Sequence, residues 1–201
     1  MSARRTAALL AGALLAGGLL TACAQPAPEQ LAVVPLSLPV ERVGPVLPVP
    51  AGRLDQARPT ALAVPAIGVA LPALAELRGD AGGVLQMPAD VAQAGWSTLG
   101  PTPGARGAAV LVADAAGPFA RLAELVPGDE VTVAREDGTR VVFTVHRVER
   151  FARAAFPGDE VWGDTTAAEL RLVTAGGVFD RAGDPAAGNV VAFARLAGVR
   201  G

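Results

Sequence analysis

The chain has 201 residues, a net charge of −2 and 17 basic residues, all of them arginine. This balance leaves no broad basic face for nucleic acid, and the absence of lysine excludes Schiff-base catalysis and a phosphate-loop lysine. The one cysteine, Cys23, has no second thiol, so an intramolecular disulfide is excluded. Apolar residues make up 51% of the chain, but many are alanines that bury little area each.

In chain order, Arg4 and Arg5 form a short basic start, and Thr6 to Leu20 is an apolar run of Ala, Leu and Gly. "LTAC", Leu20 to Cys23, closes it with small residues and a cysteine. This arrangement resembles a bacterial lipoprotein signal, which implies a signal peptide over 1–22, removed at Cys23, and lipid attachment on the Cys23 thiol. The alternative is an uncleaved anchor, for which the apolar run is marginally short. Both place the rest of the chain outside the cytoplasm, tethered to the cell membrane. Two acyl chains give stable anchoring, at about 0.8 kcal/mol per buried methylene.

Residues 23–57 read as a proline-rich tether, broken by Pro26, Pro28, Pro35, Pro39, Pro45, Pro48 and Pro50. Proline fixes φ and removes a donor, so an extended spacer is expected there. The domain is expected over 58–199. Strands are predicted near 61–69, 83–87, 107–113, 129–135, 140–150, 168–174 and 189–196. The clearest signal is the hairpin in which two period-two runs flank Asp137-Gly138. Helical turns are predicted at 118–125, where Phe119, Leu122 and Leu125 recur at spacing three, and at 165–170. Many short strands with few helices predict a mostly β barrel or sandwich.

Most chemistries fail on residue inventory. His146 is the only histidine and lies within a predicted strand, so no zinc set can form around it. Asp159, Glu160 and Asp164 lack a calcium-loop spacing and fit turn and cap roles better. Ser97 in "GWSTLG" is not a nucleophile elbow, because Leu99 stands where glycine is required. No glycine-rich dinucleotide fingerprint follows a strand, and no cofactor is implied. Two strand ends stand out: "AVLVA" runs into Asp114, and "LRLVT" runs into Ala175 and a glycine pair. Strand ends in small residues let a backbone bend or a substrate approach.

Six ordered pieces carry a likeness: "RPTALAVPAIGV", "AGWSTLGPTPGARGAAVLVA", "FARLAELVPGDEVTV", "AAFPGDEVWGDT", "LRLVTAGGVFD" and "GNVVAFA". In this order and spacing the chain resembles the class F sortases of actinobacteria, from about Arg58 to Ala194. The resemblance implies a closed β-barrel of about eight strands with short helices. It also implies an extracytoplasmic cysteine transpeptidase that cuts a sorting-signal peptide and joins it to an amine.

The resemblance assigns the family's catalytic histidine to Asp114 and its cysteine to Ala175. The family arginine belongs near the start of the last strand, yet none stands between Asp184 and Val191; Arg181 and Arg195 flank the gap out of register. The family tyrosine and aspartate before Asn189 are Ala186 and Gly188. Alanine cannot form a thioester. The expectation is therefore a degenerate sortase, a lipid-tethered pseudoenzyme that binds or scaffolds extended sorting-signal-like peptides or cell-envelope proteins. Trp96, Asp114, Trp162 and Thr174 are its candidate groove residues. The competing reading is an active transpeptidase or hydrolase with another nucleophile, Ser97 or Thr174.

Overall fold

The computed structural model describes residues 44–49, 53–79, 85–175 and 188–200. The signal segment, Cys23, most of the tether, residues 83 and 84 of one expected strand, Arg181 and Ala186 lie outside the described residues.

Among the described residues, nine strands form a single mixed sheet: β1 (Pro59–Val64), β2 (Val69–Leu71), β3 (Ala75–Leu77), β4 (Ala94–Ser97), β5 (Gly107–Asp114), β6 (Glu130–Arg135), β7 (Arg140–Ala152), β8 (Ala168–Ala175) and β9 (Gly188–Arg200). The order across the sheet is β2-β1-β6-β7-β9-β8-β5-β4-β3. The mostly β, barrel-like expectation holds, with nine strands where about eight were expected. The sheet curls around one core, and pairing leaves β2 and β3 as its two ends rather than closing the ring. Each end strand has three residues, which keeps the unpaired edge short.

The hairpin around Asp137-Gly138 forms as expected. Strands β6 and β7 pair antiparallel from Glu130↔Thr144 to Ala134↔Arg140. Gly138 takes φ +83° in the turn between them, a conformation that side chains resist. Asp137 fixes that turn by accepting the Thr139 N–H and hydroxyl at 3.0 and 2.6 Å. The alternation of β6, with Val131 and Val133 buried inward, is what one solvated face dictates. Strand β5 shows no alternation, because both its faces are covered: Ala109, Leu111 and Ala113 face the inner core, and Val110 and Val112 an outer one. Parallel pairing of β5 with β8 requires this kind of two-sided burial.

Three expectations differ from the structure. Of the strand expected at 83–87, the described residues 85–87 form none; Leu85 makes only a single bridge to Gly79. The long run at 61–69 breaks into β1 and β2 around a 3-10 turn at Pro65–Ile67, since Pro65 cannot donate to a ladder. No helical turn forms at 165–170: Ala168 and Leu170 are claimed by β8 as partners of Gly107 and Ala109. The one α-helix among the described residues, α1, lies a loop earlier at Gly158–Trp162. Here strand pairing outweighs the local helix preference of alanine. At 118–125 a 3-10 turn forms at Leu122–Glu124, and Phe119, Leu122 and Leu125 are all buried in the inner core.

The outer core positions the site. Leu77, Val110, Val112, Val161, Val173, Val191 and Phe193 cluster on the outside of β5, β8 and β9. Val161 belongs to α1, so this cluster is the reason a five-residue helix holds its place. Helix α1 is further tied down by an ion pair between Glu160 and Arg147 of β7. The Arg147 guanidinium in turn lies over the Phe193 ring at 3.8 Å.

Candidate peptide groove

Strands β5 and β8 run side by side in the same direction and end together. Their register brings Val112 beside Val173, Ala113 beside Thr174 and Asp114 beside Ala175. Positions 114 and 175, separated by sixty residues of chain, are thus neighbours at the same end of the sheet. Asp114 is partly exposed and turns the chain after β5: its Oδ1 accepts the Ala116 N–H at 2.7 Å, and its backbone carbonyl accepts the Gly117 N–H at 3.0 Å.

Next to this strand end lies a groove of about 380 Å³. Val112 and Val173 line it from the sheet, Leu85, Met87 and Leu99 from the loops before and after β4, and Phe156 and Trp162 from the segment carrying α1. No charged side chain is among its described lining residues. Six large apolar side chains are exposed among the described residues, and three of them, Met87 (39%), Leu99 (58%) and Trp162 (40%), line this groove. Exposed apolar side chains collected around one concavity mark a binding surface rather than scattered surface noise.

The polar lining is small: Thr174 and Asn189. Thr174 is 3% exposed, and its hydroxyl accepts the Val190 N–H at 2.7 Å. Asn189 is paired through its backbone with Phe151 of β7, and its carboxamide makes no hydrogen bond to a described residue. Gly188 precedes it where β9 crosses β7 closely: a Cβ there would stand 2.2 Å from the Phe151 carbonyl oxygen.

The sequence candidates therefore separate. Trp162 and Thr174 line the groove, and Asp114 sits one strand step beyond Val112. Trp96 is 7% exposed and packs in the inner core, away from the groove. Ser97 is 1% exposed, with its hydroxyl accepting the Leu99 N–H at 3.2 Å. Sequence reasoning missed Leu85, Met87, Leu99 and Phe156, because loop residues carry no periodicity and only the fold gathers them. Asn189 was visible only as a family landmark.

His146 lies on the outer face of β7, 6.4 Å from the Phe193 ring, at a bulge where Val145 pairs with Ala194 and Arg147 with Phe193. Burial, followed by Arg195, holds its pKa below the ordinary imidazole value. Its Nε2 is buried without a partner. Among the described residues no cluster of three or more His, Cys, Asp or Glu could hold a metal ion.

Comparison with known proteins agrees with this architecture. A sortase of Actinomyces oris is similar at TM-score 0.52 and 20% identity, over 79% of this chain and 88% of its own. Sortase A of Listeria monocytogenes matches at TM-score 0.52 and 17% identity, over 73% and 90%. A Streptomyces coelicolor sortase determined with a tripeptide in its active site matches at TM-score 0.50 and 15% identity, over 72% and 90%. These similarities establish a shared fold. No curated protein sequence matches the chain. The sequence pattern of the sortase domain matches residues 62–197, from within β1 to within β9, and so takes in both strand ends and the groove beside them. On that match, which spans most of the chain, the protein belongs to the sortase family.

Proposed function

We propose that this chain is a class F-like sortase that has lost its chemistry and binds sorting-signal-like peptides as a lipid-anchored pseudoenzyme. Sortases act outside the cytoplasm on the sorting-signal peptides of cell-envelope proteins. The observation that carries the reading is alanine at position 175, the end of β8, in register with Asp114 at the end of β5. In the family resemblance those two positions belong to a thiol nucleophile and an imidazole. Cys23 is the only thiol in the sequence, and it sits in the lipoprotein-like motif, far along the chain from β8. Acyl transfer through a thioester has no starting atom without a thiolate. In subtilisin, loss of a triad nucleophile costs about a millionfold in rate.

The alternative nucleophiles are poorly suited. Thr174 is buried and its oxygen is engaged by the Val190 N–H. Ser97 is buried and its oxygen is engaged by the Leu99 N–H. The only histidine, His146, is on the outer face of β7 beside Phe193, and it is hydrogen-bonded to neither hydroxyl. A general base within hydrogen-bond reach is what either hydroxyl would need.

The retained part is the groove. It is apolar, free of charged lining and ringed by exposed Met87, Leu99 and Trp162, which suits an extended apolar peptide. The signal-like start, with Cys23 as lipid attachment and 23–57 as tether, would hold the 58–199 domain at the outer face of the membrane, where such peptides emerge.

The test uses the full chain in detergent micelles and a panel of capped sorting-signal pentapeptides, followed by calorimetric titration and by mass spectrometry of the peptides. Saturable binding without cleavage is expected, unchanged by a thiol-blocking reagent. Turnover that Thr174→Val or Ser97→Ala abolishes would establish the non-cysteine enzyme instead. Absence of binding by every peptide would refute the groove's assignment.

A further inference from the structure

The groove has an imbalance that its apolar lining does not explain. An extended peptide laid into it exchanges water around its own N–H and C=O groups for hydrocarbon, and each group left unpaired costs about 1–3 kcal/mol. The groove must therefore return hydrogen bonds to the peptide main chain, and its described side chains offer few. Thr174 has already given its oxygen to the Val190 N–H. The carboxamide of Asn189 is the other polar side chain of the described lining, and it makes no hydrogen bond to a described residue. A carboxamide carries a donor and an acceptor side by side, as the N–H and C=O of a single residue do along one edge of an extended chain.

Asn189 is also held firmly. It lies on the face of β9 that carries Val191 and Phe193, both part of the outer core. Its backbone pairs with Phe151 in β7, and the next residue is pinned to β8 by Thr174. A side chain supported from both sides loses little freedom when it engages a ligand.

We propose that Asn189 is the main-chain reader of this groove. Its carboxamide accepts the N–H and donates to the C=O of one residue of an uncharged, extended segment, two groups that lie on the same edge of an extended chain, while the apolar walls receive the flanking side chains. The ligand class follows: an apolar peptide without charge in the bound stretch, since no described lining residue can compensate a buried charge. This inference rests on the peptide-binding reading above and assigns the residue that sets ligand register.

The experiment is a backbone-ester scan of the tightest member of the pentapeptide panel, in which each peptide N–H is replaced in turn by an ester oxygen. It is titrated against the full chain and against Asn189→Ala in detergent micelles. On the parent chain, one ester position is expected to weaken binding about tenfold, the value of one well-placed hydrogen bond. Asn189→Ala, which removes both bonds, should weaken the all-amide peptide by at least that factor and show no further loss at that ester position. Asn189→Asp, which keeps the shape but removes the donor and adds charge, should bind no better than Asn189→Ala. Should Asn189→Ala fail to fold, as judged by its unfolding transition, Asn189→Ser carries the same scan. Equal ester penalties on parent and variant would overturn this assignment while leaving peptide binding intact. No binding of any peptide by the parent chain would remove the groove reading and this inference with it.

Discussion

The Thr174 hydroxyl accepts the Val190 N–H at 2.7 Å, one residue past the point where the β8–β9 ladder stops at Val173↔Val191. A side chain has taken over a bond that a backbone carbonyl supplies elsewhere in the sheet. Strand β9 meanwhile stays paired with β7 as far as Gly188↔Ala152. The separation of β8 from β9 beside the groove is therefore capped by one threonine. Thr174→Val keeps the volume and leaves a buried N–H unpaired, at an expected cost of about 1–3 kcal/mol. Thr174→Ser keeps the oxygen and should cost clearly less. Urea unfolding of the three proteins checks the order; equal losses would show that the methyl group, not the hydrogen bond, matters.

Phe193 is 1% exposed and lies between two guanidinium groups, Arg147 at 3.8 Å and Arg171 at 4.8 Å from the ring centre. Arg171 is itself buried and paired with Glu169 at 2.5 Å. Phe193→Ala should cost about 3–5 kcal/mol from lost burial and the cavity left behind. Phe193→Leu keeps most of the burial but removes the ring face that the two cations use, a loss of about 0.5–2 kcal/mol. Denaturant midpoints separate the two terms. Because Arg147 also holds α1 through Glu160, Phe193→Leu should weaken peptide binding at the Trp162 side of the groove.

The lone histidine gives a pH signature. Burial and the nearby Arg195, Arg171 and Arg147 lower the His146 pKa, with Glu169 opposing them. The unfolded chain therefore takes up this proton at a higher pH than the folded one. His146 contributes stability that is complete above the ordinary value near 6.5 and is lost as pH falls through the lower folded pKa. Between about pH 7.5 and about pH 5.5 the parent should lose more stability than His146→Gln. Parallel urea curves at the two pH values test this; identical slopes for both proteins would mean that the imidazole titrates alike in the two states.

The proposed loss of chemistry can be probed by putting the family's residues in place. The variant combines Ala175→Cys, Asp114→His and Ala187→Arg, the last chosen because Gly188 has no room for a side chain beside the Phe151 carbonyl. Thiol-dependent cleavage of a sorting-signal peptide is the expected outcome, with Ala175→Cys alone far weaker for want of a base. Peptide mass spectrometry with and without a thiol-blocking reagent provides the readout. An inert triple variant that still binds the peptide would mean that the cleft no longer presents the bound chain to position 175.

The fold was largely legible where one force dominated. The Asp137-Gly138 hairpin carried both its turn chemistry and its alternation in a single window, and the apolar run at 107–113 was legible as a strand, β5, although only the fold covers both its faces. The errors came where local and distant demands conflict. Alanines at 165–170 favour a helical turn in isolation, but β5 required a parallel partner and claimed Ala168 and Leu170. The short β3 and β4 carry too few residues for a period to show, so they were not anticipated.

What the sequence determined by itself is the chemistry available. One thiol, one imidazole and alanine at position 175 are facts of composition and order that no folding can change. What only the tertiary structure decided is proximity and exposure. Asp114 and Ala175 become neighbours because two parallel strands share a register, a pairing between residues too far apart in the chain for any local pattern to encode. Trp96 was buried in the inner core and Trp162 left exposed on the groove because burial depends on which surface the sheet curls around, and that is set by all nine strands at once.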